Sequence, residues 1–357
     1  MKKSLSDIRI EIDAVDDSIA RALVKRAELA KEVRAVKQGE DILTYHPARE
    51  RQILDRVFSI CKDTGFAQKQ VEKVFLSVLS ACRSIVGDIE VCIAGSLGGI
   101  NHAAVFTQFG PIDRVCVTAN VEEVFRRVED GSSHYGIIPV SRNEDGILSE
   151  SLFGFLNSSQ TITTEVDVQN NCSLFSNSKK IEDIKEVFVE VGLSSTLNIS
   201  KLKTFLAEDA IIHPYAGEKE LRELELDNQA VLAPSILSSY ITLPVLVDNL
   251  DLSSSIRTRF FVVGPPEVNQ EKHNVTALVC VVKERSGALR EILEPFEKLD
   301  LTLLALESRT SKGKKWECVF YLEFESLGRD QDVSDLVTQL ESKCLFVKKL
   351  GSFHREL

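Results

Sequence analysis

The sequence predicts a multidomain protein: an all-α domain, then an α/β domain, then a small α+β domain of ferredoxin-like order. Three observations carry this. Residues 5 to about 38 hold one unbroken helical period. From Ile89 onward, short β-rich runs alternate with helical stretches. Residues 274–350 then run strand, helix, strand, strand, helix, strand. At 357 residues the chain is too long for one ordinary core, and 43% hydrophobic with 27% charged residues is a globular composition.

In the first segment, Leu5, Ile8, Ile12, Val15, Ile19, Ala22, Leu29, Val33 and Val36 recur at spacings of three and four, with Arg26 on the same seam. Ser4-x-x-Asp7 reads as a cap at its start. Such a helix is on the order of 50 Å long at ~1.5 Å per residue. A ninety-residue domain cannot cover it alone, so part of the stripe is expected to pack on another copy of the chain. Pro47 suits a first helical position and opens a second helix to about Cys61. A third runs from Gln68 to Val86, and Gly87-Asp88 reads as a linker.

The middle segment places strands at 89–94, 114–118, 135–140, 160–167, 186–191, 229–233 and 257–263. Helices fall at 102–109, 120–129, 147–157, 198–207 and 218–225, an alternation that predicts a largely parallel sheet. Pro265-Pro266 closes it and 267–273 is a polar linker. The last segment has strands at 275–283, 301–308, 316–324 and 344–349 and helices at 287–298 and 332–342. The expected domains are therefore 1–87, 88–266 and 274–357.

Net charge −11 excludes a general nucleic-acid binder, which needs a basic face. No run reaches the ~18 apolar residues of a membrane span, and the start lacks a signal-peptide core, so a cytoplasmic protein without a membrane partner is expected. The eight cysteines form no C-x-x-C pair and the six histidines no ligand spacing; reduced core cysteines and no metal site are expected.

Candidate chemistry begins on the first helix. Arg26 takes a seam position that asks for an apolar residue, and Lys37, eleven residues on, points from the same face after about three turns. Arg9 sits beside the stripe near the other end, and Arg49 and Glu50 open the second helix. A single such cation is ordinarily solvated or snorkelling. Several converging with one carboxylate inside a helical domain suggest a pocket for a dianionic small molecule, since a buried-facing arginine is costly without an anion. The spacing alone does not say which.

Ile8-Arg9, Lys25-Arg26, Ala35-Val36-Lys37 and His46-Pro47-Ala48-Arg49-Glu50-Arg51 resemble the motifs of the all-helical chorismate mutase domain. The resemblance implies that Arg9 reaches into a partner chain's site and that Arg9 and Arg26 clamp two carboxylates. Lys37 then donates to the ether oxygen, with Glu50 accepting the substrate hydroxyl. Where that family has a Gln or Glu donor on the last helix, this chain has Val86, with Cys82 one turn earlier.

Residues 89–264 resemble prephenate dehydratase, a two-lobed, periplasmic-binding-protein-like fold with its site between lobes. The matches are Thr258-Arg259-Phe260, the turn Gly95-Ser96-Leu97-Gly98-Gly99-Ile100-Asn101-His102, and Tyr135 to Gly146. The resemblance implies Thr258 as proton donor to the departing hydroxyl. It implies substrate contacts from Gly98, Gly99, Asn101, Arg142, Asn143, Ser194, Lys201, Arg259 and Phe260. The family's Glu-Asn is Ser141-Arg142 here, and its S-H-P-Q block is set against Ser194-Ser195-Thr196-Leu197. Two outcomes stay open: prephenate is still converted to phenylpyruvate, or the swaps to Arg142 and Lys201 mark changed chemistry, such as a non-aromatising decarboxylase, or an inactive binding lobe. The glycine turn is not G-x-G-x-x-G, which sets a dinucleotide site aside.

Residues 274–350 resemble an ACT domain of the phenylalanine-sensing type. The resemblance lies in Ser286-Gly287-Ala288-Leu289 and Leu306-Glu307-Ser308-Arg309-Thr310. It implies an effector site at Gly287, Ala288, Leu289, Glu307, Ser308 and Arg309; a purely dimerising module is the alternative. The order of the three resemblances is that of the bifunctional chorismate mutase/prephenate dehydratase family. Its implications are chorismate to prephenate to phenylpyruvate without a cofactor, phenylalanine as effector, and a homo-oligomer, dimer or tetramer. The rival is a mutase or regulatory binding protein whose second domain is silent or diverted.

Overall fold

The computed structural model describes residues 3–36, 45–142, 146–169, 172–194, 199–207, 209–215, 221, 228–239, 241–250, 257–265, 273–310 and 317–355. The chain divides into two compact units. One holds residues up to Ile89 together with Phe109–Arg114; the other holds the rest.

The first unit is built on α1 (Leu5–Val36), α2 (Pro47–Cys61) and α3 (Gln68–Val86). Helix α1 starts as the sequence predicts: the Asp7 amide donates to Ser4 Oγ and the Ser4 amide to Asp7 Oδ2, each at 3.1 Å. Pro47 takes the first turn of α2, where its missing N–H costs nothing. The core lies between α2 and α3, with Leu54, Val57, Val71, Leu79 and Cys82 buried and the Tyr45 ring tilted against Phe109 at 4.6 Å between ring centres. Helix α1 buries no residue in this chain: Leu5 is 67% exposed, Val15 57% and Ile19 53%.

The second unit begins with β1 (Glu90–Ala94), α4 (Ile100–Phe109), whose last residue belongs to the first unit, β2 (Arg114–Thr118), α5 (Val121–Glu129), β3 (Tyr135–Arg142), β4 (Gly146–Ile147) and α6 (Ser149–Asn157). Strands β5 (Thr161–Gln169), β6 (Cys172–Phe175) and β7 (Glu186–Glu190) follow. Then come the short helices α7 (Val191–Ser194) and α8 (Ile199–Lys203). Strands β8 (Ile211–Tyr215), β9 (Gln229–Pro234), β10 (Val245–Leu250) and β11 (Arg257–Gly264) complete this part.

These strands form two sheets, one ordered β2-β1-β3-β11-β5 with β4 beside β3, the other β10-β6-β9-β7-β8. Two sheets match the expected two lobes, but the largely parallel expectation does not hold. β11 returns antiparallel between β3 and β5, and β6 runs antiparallel to both β9 and β10. Side-chain period marks a strand but not its direction. The helix expected at 218–225 falls, apart from Leu221, outside the described residues.

The final part is β12 (Val275–Lys283), α9 (Ala288–Lys298), β13 (Leu303–Thr310), β14 (Glu317–Glu325), α10 (Asp330–Glu341) and β15 (Phe346–Phe353). Its antiparallel sheet, ordered β13-β14-β12-β15, matches the expected ferredoxin-like order. One face packs on α9 and α10 through Leu278, Cys280, Ile292, Phe296, Leu336 and Leu340. The other face shares a core with the first sheet of the same unit. Val275, Ala277, Val279 and Tyr321 pack with Ile138, Phe155 and Phe261, and the Phe261 and Phe353 rings lie 5.1 Å apart. Among the described residues no helix is long and apolar enough to cross a membrane.

Candidate active sites

In the helical unit the structure joins Glu50, Arg26 and a residue the sequence reading missed, Arg83. Glu50 sits in the first turn of α2 and is largely buried. Burial pushes its carboxyl above the usual range, against the pull of the Arg83 guanidinium, which pairs with it directly, and of the charge of Arg26. Arg83, on α3, is buried and also donates to the Phe109 carbonyl. Its guanidinium lies 5.6 Å from the Tyr45 ring centre and 6.0 Å from that of Phe109. Arg26 is half-buried, while Arg9 is exposed and about 25 Å away along α1, at 1.5 Å per residue. One chain therefore cannot bring Arg9 and Arg26 together. Arg49 is exposed and donates to Gln52 Oε1 at 3.2 Å, Val86 is half-buried where a polar donor was absent by expectation, and Lys37 lies outside the described residues.

In the second unit the glycine turn after β1 crosses to the other sheet. Gly95 and Gly98 have φ +101° and +79°, conformations that favour glycine, and a Cβ on Gly98 would stand 2.3 Å from the Leu237 side chain. Asn101 donates to the Ala94 carbonyl at 2.7 Å, and the Gly98 amide donates to His102 Nδ1 at 2.9 Å. Both side chains serve the turn itself. The His102 ring is buried, which lowers its pKa to about 4 and keeps it the neutral acceptor that this bond needs.

Opposite the turn, at the end of β7, stands Glu190, which the sequence reading did not select. Its buried carboxylate accepts the Leu193 amide at 3.0 Å, the amides of Gly192 and Ile100, and the Ser96 hydroxyl at 3.5 Å. Burial still pushes this carboxyl upward. A Cβ on Gly99 or on Gly192 would lie 2.9 Å from one of its oxygens, so both glycines make room for it. A helix start is a ready seat for an anion, and at α4 that seat is met by the protein's own carboxylate.

Thr258 is buried in β11, opposite Arg142 of β3 and Val168 of β5. Its neighbour Arg259 departs from expectation. Strand alternation turns it to the other face, where it meets Glu165 at 3.1 Å and pairs with the fully buried Glu323. Arg259 is therefore engaged by protein carboxylates and not presented beside Thr258. Phe260 is fully buried. Ser194 Oγ donates to the Val191 carbonyl at 2.8 Å, and Lys201 is half-buried on α8. Only the backbone of Arg142 is described, and Asn143 lies outside the described residues.

Of the six expected effector residues, Gly287 (φ +85°), Leu289 and Ser308 are exposed and Ala288 is buried. Glu307 and Arg309 turn inward instead. Glu307 Oε1 accepts the Ile147 amide at 2.8 Å, Arg309 Nη2 donates to the Ile147 carbonyl at 2.8 Å, and the pair lies 3.2 Å apart. Both groups are occupied by the strand they hold.

The family model for chorismate mutase type II matches residues 8–86, and that for prephenate dehydratase matches residues 91–268. A bifunctional chorismate mutase/prephenate dehydratase of Aquifex aeolicus is 28% identical over 363 residues, covering 99% of each chain. Its namesake from Pseudomonas aeruginosa is 25% identical over 361 residues, covering 98% of this chain and 97% of its own. The structure of prephenate dehydratase from Arthrobacter aurescens in complex with L-Phe shares the fold with a TM-score of 0.65. Its identity is 20%, over 75% of this chain and 90% of that one. Two matches in that order, with relatives aligned from end to end, carry one conclusion: the chain belongs to the bifunctional chorismate mutase/prephenate dehydratase family.

Proposed function

We propose that this chain converts chorismate to prephenate and prephenate to phenylpyruvate, as two activities of one polypeptide. The carrying observation is that both family matches lie in this order on one chain, within relatives of that name aligned over nearly its whole length. Residues 1–87 perform the rearrangement, in which the ether C–O bond breaks as a C–C bond forms. Arg26 and a second copy's Arg9 pair with the two carboxylates, Lys37 meets the ether oxygen, and Glu50 accepts the substrate hydroxyl. The buried Glu50 beside Arg26 and Arg83 supports this reading. The exposed apolar stripe of α1 supports a homo-oligomer.

Residues 88–266 perform the second reaction: the ring carboxylate leaves as CO₂ and the hydroxyl leaves as water, with Thr258 donating the proton. Thr258 sits at the start of β11 and at the C-terminal end of β3, on the edge where the β1–α4 turn also lies. Residues 274–357 act as an ACT module that binds phenylalanine through exposed Gly287, Leu289 and Ser308. The complex of the Arthrobacter aurescens dehydratase with L-Phe supports that choice of effector.

A second reading is favoured by one observation, Glu190. A carboxylate seated at the start of α4, where two glycines yield to it, opposes an anionic ligand in that seat. It favours a mutase whose second domain has changed chemistry. Incubating the purified protein with chorismate separates the readings. Loss of chorismate with alkali-revealed phenylpyruvate supports both activities. Loss without phenylpyruvate leaves the mutase with a diverted second domain, and no loss overturns the proposal.

A further inference from the structure

Strand register places the dehydratase candidates in two neighbouring rows across one sheet. One row runs Val168, Thr258, Arg142, Gly146; the next runs Asp167, Arg259, Ser141, Ile147. The C-terminal module grips the second row at two points. At Arg259, the guanidinium meets Glu165 of β5 and Glu323 of β14, and Arg355 brackets the same two carboxylates at 2.6 and 2.8 Å. At Ile147, both backbone polar groups are taken by side chains of β13, the amide by Glu307 and the carbonyl by Arg309.

The second grip is the informative one. β4 is only two residues long, and among the described residues its backbone pairs with β3 alone. Such a short edge opens easily unless something else holds it. Two charge-assisted bonds from an ion pair are the means by which the structure holds it, and they come from outside the sheet.

We propose that Glu307 and Arg309 are positioning residues for the dehydratase reaction. They hold β4 against β3, and through β3 they hold the row that carries Thr258. This rests on residues 88–266 being the dehydratase part. It gives two residues expected as effector contacts a part in turnover itself, so that the module both completes the site and reports on it.

The test uses the full chain with Glu307→Ala, Arg309→Met and the conservative Glu307→Gln, which keeps an acceptor for the Ile147 amide. Each is assayed for phenylpyruvate formation from prephenate and, as an internal control on folding, for mutase activity in the helical unit. Expected is a fall in dehydratase kcat on the order of 10- to 100-fold for Glu307→Ala and Arg309→Met, the scale of a small misplacement of reacting groups. KM should change little, Glu307→Gln should recover most of the loss, and mutase kcat/KM should stay unchanged. Dehydratase kcat within twofold of the parent for both variants overturns the inference, as does a fall in KM-limited binding alone. Amide hydrogen exchange supplies a readout that does not need the activity. In a protein that makes no phenylpyruvate, Glu307→Ala should speed exchange in segments 135–142, 146–147 and 257–260. Unchanged exchange there overturns the inference, while the absent activity counts only against the functional reading.

Discussion

Arg83 shows how a single side chain supports a site. It balances the buried Glu50 carboxylate, ties α3 to the Phe109 carbonyl and lies against two aromatic rings. Arg83→Met leaves Glu50 buried without its direct partner, a change that costs about 3–5 kcal/mol. Denaturant unfolding of the helical unit is expected to report that loss together with weaker mutase activity. Arg49→Met, at an exposed position, should stay within about 0.5 kcal/mol; equal effects from the two would remove the special role of Arg83. His102 carries a pH prediction. Burial holds it neutral down to about pH 4, against 6.5 in the unfolded chain. Its contribution is complete above pH 6.5 and is lost as pH falls from there towards 4, amounting to roughly 3 kcal/mol. Urea midpoints between pH 7 and 4 should fall more steeply for the parent than for His102→Gln, and parallel curves would refute this. Neither Arg83 nor Glu190 was legible in the sequence. Each is a lone charge in an apolar run, the pattern of an ordinary solvated face, and only the third dimension brings Glu50 or the amides of Ile100, Gly192 and Leu193 to it.

Among elements, β15 meets the strictest demand. Gly351 has φ +151°, and a Cβ there would stand 2.5 Å from the Ile162 carbonyl oxygen, which is backbone and cannot swing aside. Gly328 also has positive φ but opens on empty space. Gly351→Ala is expected to destabilise the second unit by about 1–3 kcal/mol from overpacking, in addition to strain. Gly328→Ala should show only the left-handed strain of about 1–2 kcal/mol. Equal losses of denaturation midpoint for the two variants would mean that β15 and β5 are not packed this closely. The three helices, most strands and the βαββαβ order were legible because their periods are long and regular. The missed strands had reasons. β6 is four residues long, β8 carries Pro214, and β10 includes Asp248 and Asn249 at a sheet edge. That β11 runs antiparallel between β3 and β5 is a property of connections, which periodicity does not record.

At the scale of the whole molecule, the helical unit is incomplete in two independent ways. Its longest helix buries none of its side chains, so a row of isoleucines and valines stands open to water. Its two candidate carboxylate clamps, Arg9 and Arg26, sit about 25 Å apart on that helix, beyond the span of any one small dicarboxylate. A second copy packed along α1 would answer both needs, because the proposed two-fold arrangement would bring one chain's Arg9 towards the other chain's Arg26 and Glu50. Subunit mixing tests this more sharply than a measurement of mass. Arg9→Ala and Arg26→Ala should each abolish nearly all mutase turnover. In a hybrid of the two, one site collects both substitutions and the other keeps both arginines. If the copies exchange freely as dimers, an equimolar mixture should therefore recover about a quarter of the parent mutase activity. Hybrids that form, by native mass spectrometry, and yet recover no turnover would place Arg9 in its own chain's chemistry, and the shared site would be lost with it.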